Sequence, residues 1–152
     1  MSSRWASLAV AAALAAAPAQ AQLATELGVQ AIGTASDPAL GAGGVYAALR
    51  TSSRVRFSLG AAVGGSDGEL AWRGELLAHF LLTPRARRGV GAYGAGGIAG
   101  VAGPVDEGYL VLTLGVEARP GAGSGWFLEA GVGGGARLAL GFRRRWFRGI
   151  GG

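Results

Sequence analysis

The feature that most constrains this chain is a period of two. From residue 22 onward, apolar residues alternate with polar or small ones in eight short stretches separated by turn residues. Successive side chains on a strand point to opposite faces, so each stretch makes a strand with one apolar and one polar side. An apolar membrane-crossing helix cannot be built from these residues, because none of their apolar runs approaches the roughly 20 residues that a span needs.

The expected strands are Leu23 to Thr34, Leu40 to Thr51, Arg54 to Gly65, Leu70 to Leu82, Gly89 to Val101, Tyr109 to Arg119, Trp126 to Gly133 and Ala136 to Phe147. Pro38, Pro84, Pro104 and Pro120 all fall between them, where a missing N–H costs no ladder bond. The strands are longer than the usual soluble strand of about 5 or 6 residues and suit the length of a tilted membrane strand.

Residues 1–21 read as a cleaved secretory signal peptide. Arg4 supplies the positive charge, Trp5 to Ala17 is an uncharged apolar stretch, Pro18 breaks it, and Ala19-Gln20-Ala21 is an A-x-A cleavage site. The expected domain is therefore 22–147, with a short tail at 148–152. The chain has no cysteine, so disulfides cannot stabilise this exported domain, and a good core or a membrane must do so.

The alternation is cleanest in four strands. Val55, Phe57, Leu59, Ala61 and Val63 oppose Arg54, Arg56, Ser58 and Gly60. Leu70, Trp72, Leu76, Ala78, Phe80 and Leu82 oppose Arg73, Glu75 and His79. Leu110, Leu112, Leu114, Val116 and Ala118 oppose Thr113, Glu117 and Arg119. Leu138, Leu140 and Phe142 oppose Arg137, Gly141 and Arg143. The second and fifth strands are glycine-rich and leave their facing open.

Two architectures share this pattern. A soluble, lipocalin-like barrel points the apolar face inward, toward an apolar ligand. A transmembrane barrel points it outward. Three observations favour the second. A water-facing surface is about a quarter to a third charged, whereas this chain is 15% charged overall. The polar faces carry a nearly balanced set, Glu26, Glu75, Glu117 and Glu129 against Arg56, Arg73, Arg119, Arg137 and Arg143, which reads as an internal ion-pair network. The aromatics Phe57, Trp72, Phe80, Trp126, Phe142 and Trp146 sit near the ends of the apolar faces, as membrane-interface aromatics do. The expectation is an all-β, eight-stranded antiparallel up-and-down transmembrane β-barrel.

The connections sort by charge. Those after the first, third and fifth strands hold Asp37, Asp67, Glu69, Asp106 and Glu107 and no arginine. Those after the second, fourth and sixth strands, with their flanks, hold Arg50, Arg54, Arg85, Arg87, Arg88 and Arg119. With signal, strand count, short turns and paired inner Arg and Glu, the chain resembles the small eight-stranded outer-membrane barrels of the OmpA-domain and OmpX type. The resemblance implies residence in the bacterial outer membrane, contact with its lipid, a monomer, and delivery by the barrel-insertion machinery. In such families a terminal Phe marks the last strand, a role open here to Phe142 or to Phe147.

Chemistry is sparse. His79 is the single histidine, so His or Cys metal sites stop at one ligand, and no metal or other cofactor is expected. The acidic loops lack the ligand count of a calcium site. A catalytic triad on His79 would need a serine, for which neighbouring Ser58 is a candidate, and an acid. Glu75 lies four residues along the strand, about 13 Å away. No catalytic residue is assigned, and His79 is read as part of the barrel's polar network. Gly89-Val90-Gly91-Ala92-Tyr93-Gly94 fits G-x-G-x-x-G but lacks the helix that a dinucleotide site requires. The net charge of +5 does not point to nucleic acid, because the arginines form no continuous stripe. Arg143-Arg144-Arg145 reads as an anionic-lipid contact or as a solvated strand end. The expected function is a non-enzymatic structural or surface-interaction barrel with a side-chain-filled lumen, with a narrow solute pore and a soluble ligand-binding barrel as the alternatives.

Overall fold

The computed structural model describes residues 24–147. The expected signal peptide at 1–21 and tail at 148–152 lie outside the described residues, as do Gln22 and Leu23. Eight strands form: β1 (Ala24–Ala35), β2 (Leu40–Arg50), β3 (Val55–Ser66), β4 (Glu69–Leu81), β5 (Val90–Ala102), β6 (Glu107–Ala118), β7 (Ser124–Val132) and β8 (Ala136–Phe147). Each pairs antiparallel with the next. The first and last pair from Ala24↔Phe147 to Ala35↔Ala136, so the sheet closes into a barrel and leaves no free edge.

Up-and-down order puts the start of β1 and the end of β8 together, at what we call the terminal end. The opposite, loop end carries Asp37, Asp67, Asp106 and Glu107, all exposed. The turn between β3 and β4 is there too. Asp67 and Gly68 take φ of 53° and 75°, the two positive values that a two-residue type I′ hairpin needs.

The facing follows the alternation. Leu110, Leu112 and Leu114 are 81%, 67% and 70% exposed, while Arg56, Arg73, Glu75, Glu117 and Arg137 are buried inside. Large apolar side chains stand on the outside of every strand, sparsely on the glycine-rich β2 and β5, and charged ones fill the interior. A continuous exposed apolar band of this kind needs nonpolar surroundings. It is the reverse of the arrangement that a soluble, apolar-ligand barrel requires, and that alternative is set aside.

The facing of β2 and β5 comes from aromatics. Tyr46 and Tyr93 point inward, and each ring lies against a glycine directly across the ladder: Tyr46 against Gly28, Tyr93 against Gly115. Phe127 on β7 does the same against Gly141. A Cβ at any of these glycines would overlap the ring. A narrow eight-stranded interior has room for large side chains only where their neighbours are small.

Candidate functional site

The inward faces assemble two charge clusters stacked along the barrel axis. The cluster nearer the terminal end joins Glu26 of β1, Arg56 of β3, Glu117 of β6, and Arg143 and Arg145 of β8. The Arg145 guanidinium donates from Nε to Glu26 Oε1 at 2.7 Å, and its Nη2 lies 3.4 Å from Glu117 Oε2. A further donation reaches the Pro120 carbonyl. Arg56 Nη1 bridges Glu117 at 3.0 Å and Glu26 at 3.4 Å. Arg143 is more loosely held. Its Nη2 lies 3.3 Å from Glu117 and donates to the Ala118 carbonyl at 3.2 Å, its Nη1 lies 3.9 Å from Glu26, and Nε and Nη1 make no hydrogen bond among the described residues.

The second cluster joins Arg73 and Glu75 of β4, Glu129 of β7 and Arg137 of β8. Arg137 grips Glu75 with both prongs, at 2.9 and 2.7 Å, and donates to Glu129 at 2.9 Å. Arg73 donates to Glu75 at 2.8 Å and to the Gly133 carbonyl at 3.0 Å. Glu129 also accepts from the Tyr93 hydroxyl at 2.9 Å. Forked guanidinium–carboxylate pairs are the strong form of this contact, because both prongs are satisfied together. The two arginines and two glutamates balance, whereas the lower cluster carries one arginine in excess.

His79 lies between the clusters. Its Nε2 is 2.8 Å from Ser58 Oγ, its Nδ1 is 3.3 Å from Arg56 Nη2, and Glu129 Oε1 is 4.0 Å from Nδ1. The outline is that of a Ser–His–acid array, but the proton is on the wrong nitrogen. A guanidinium can only donate, so Nδ1 accepts and Nε2 carries the hydrogen, which it donates to Ser58. A general base would need the opposite tautomer. Glu129 is already held by Arg137 and Tyr93, so it does not orient the ring.

Two spaces are lined by lumen residues among those described. A void of about 20 Å³ lies between the clusters, against Tyr46, His79, Glu117 and Phe127. A vestibule of about 140 Å³ opens at the loop end, lined by Thr34, Ser66, Glu107 and Tyr109, with Arg73 among its walls. The Arg73–Glu75–Arg137 lattice lies between them.

Of the residues expected in the network, Glu26, Arg56, Arg73, Glu75, Glu117, Glu129, Arg137 and Arg143 are buried in the lumen. Arg119 is not. Strand β6 ends at Ala118, and Arg119 turns out of it with φ of 47°, exposed at the terminal end. Arg145 takes the place in the network that was expected for Arg119. The run Arg143-Arg144-Arg145 is neither a lipid contact as a whole nor a solvated end. Period two sends the first and third inward and leaves only Arg144 outside, its guanidinium 5.8 Å over the Trp146 ring. Tyr46, Tyr93 and Phe127 also belong to the lumen and were not anticipated.

Outside, Phe57, Phe80, Trp126 and Trp146 lie close to the terminal ends of their strands, with Phe142 somewhat higher. Trp72 stands alone near the loop end. The aromatics thus form one ring rather than two.

No protein-family model matches the chain, and no curated protein does. Solved structures do. The fold is similar to the N-terminal β-barrel domain of OprF from Pseudomonas aeruginosa, with TM-score 0.66 and 13% identity, over 84% of this chain and 100% of that one. It is also similar to Neisserial surface protein A (NspA), with TM-score 0.52 and 10% identity, over 82% of this chain and 97% of that one. At these identities the likeness is one of fold. The chain has the fold of the small eight-stranded outer-membrane β-barrels.

Proposed function

We propose that this protein is an integral outer-membrane barrel that acts without catalysis, as a structural or surface-interaction element with a closed polar lumen. The observation that carries the reading is the pairing of an apolar exterior with an interior crossed by ion-paired side chains. Such a barrel is at home in lipid and offers solutes no continuous path. The acidic loop end faces outward and the arginine-rich turns face the periplasm. The Trp146-Phe147 end of β8 is the segment that the barrel-insertion machinery reads, and the barrel works as a monomer in contact with outer-membrane lipid.

Planar-bilayer recording on the refolded mature chain tests the closed lumen. The expected record has no stable conductance steps above the lipid background. Reproducible single-channel steps would make the protein a narrow pore instead, with the loop-end vestibule as its mouth.

A further inference from the structure

The outer surface of the barrel is not evenly bulky. Strands β4 and β6 raise large side chains outward, but β5 between them presents Ala92, Gly94 and Gly96. Register sets Gly94 between Phe80 and Leu114, and Gly96 between Ala78 and Leu112. The result is an external groove of about 550 Å³ with glycine on its floor, lined by Phe80, Leu112 and Leu114 and reaching past them to Ala130 on β7. Ile98, 56% exposed and paired with Leu76 and Leu110, closes it on the loop side.

The groove lies within one lipid leaflet of the terminal end. From Val90, where β5 begins, to Gly96 the strand runs about 20 Å at about 3.3 Å per residue. Strands tilted by about 35–45° would rise about 15 Å over that length, half of a hydrocarbon core of about 30 Å.

Toward the terminal end, past the exposed Leu82 and Val90, this face ends in cationic turns. The β4–β5 turn places Arg85, Arg87 and Arg88 in the open. The β6–β7 turn packs against it: the Arg119 N–H donates to the Gly89 carbonyl at 2.7 Å, and the Gly121 N–H donates to the Arg87 carbonyl at 3.0 Å. Arg119 therefore joins the other three. Residues 82–89 and 119–123 contain these four arginines and no carboxylate. A second copy is a poor occupant, because a two-fold contact through this face would set the two arginine groups against each other.

We propose that the β4–β6 face binds one anionic phospholipid of the leaflet at the terminal end. An acyl chain lies along Gly94 and Gly96, and the headgroup phosphate sits among Arg85, Arg87, Arg88 and Arg119. The site rests on the membrane-barrel reading above.

The groove can be filled without disturbing the barrel. A Cβ on Gly94 or on Gly96 meets nothing nearer than 3.7 Å. The experiment is native mass spectrometry of the refolded chain in neutral detergent, with equal amounts of phosphatidylglycerol and phosphatidylcholine, alongside a gel of boiled and unboiled samples. The wild-type barrel should retain one phosphatidylglycerol, about tenfold in preference to phosphatidylcholine. Gly94→Val with Gly96→Val should abolish retention of both lipids. Arg85→Gln with Arg87→Gln and Arg88→Gln should retain lipid but lose the preference. Equal retention of both lipids by the wild type, unchanged retention by the filled groove, or a lipid-free dimer would each overturn the site while leaving the barrel reading intact. A chain with no heat-shifted band would overturn the barrel reading, and the site with it.

Discussion

At the scale of the residue, the lumen is decided by how each buried charge is partnered. Arg137 and Arg143 lie on the same strand and are both buried, yet they differ. Arg137 makes three hydrogen bonds to two carboxylates, so Arg137→Met leaves buried Glu75 with Arg73 alone and buried Glu129 with the Tyr93 hydroxyl and no guanidinium. That loss should cost about 3–5 kcal/mol. Arg143 is the loosely held excess arginine of a cluster with two glutamates, and Arg143→Met leaves two arginines against two carboxylates. It should cost under about 1 kcal/mol, because the change leaves no carboxylate uncompensated and removes the desolvation penalty of the excess charge. Urea midpoints of the two variants, folded in lipid vesicles, check the contrast, and equal losses would contradict it. The same scale explains which lumen residues could be read in advance. Alternation carries through β8 to Arg145, but a run of three arginines looks like a strand end, which hides the inward turn of the third. Arg119 follows the alternation of β6 in sequence but not in space, because the backbone leaves the strand at that residue. Glycine adds a side chain to neither face, so β2 and β5 gave no period from which to place Tyr46 and Tyr93.

At the scale of the element, the strands and turns were legible because two independent signals agree. Period two marks every strand but the glycine-rich β2 and β5, and proline or Asp-Gly marks five of the seven connections, Ser52-Ser53 and the glycine run 133–135 marking the other two. The boundaries moved by at most two residues, as at β6, which begins at Glu107 because that residue pairs with Val101. Facing was legible in β3, β4, β6 and β8, where bulky apolar residues contrast with charged ones. It has a direct test in Leu112, which lies midway along β6, is 67% exposed and pairs with Gly96 and Val132. Leu112→Arg should cost about 2–4 kcal/mol in the apolar band and reduce assembly into vesicles sharply. Normal insertion of that variant, followed by the fraction of folded band on an unboiled gel, would mean that Leu112 does not face lipid.

At the scale of the molecule, the closed β1–β8 seam, the apolar exterior and the ion-paired interior form one arrangement. Closure satisfies the backbone that lipid cannot. The exterior suits the lipid, and the interior holds the charges that the exterior excludes. The ends differ as well: carboxylates cluster at the loop end and arginines at the terminal turns, so the barrel has a polarity across the membrane. None of this was visible as a motif. It emerged from spacing and charge balance, which specify architecture well and biological role poorly. The most direct measurement is fractionation of cells expressing the full chain, with the outer-membrane fraction run both unheated and boiled. The account predicts a band in the outer membrane that migrates differently before and after boiling. A soluble periplasmic band with no shift would contradict it.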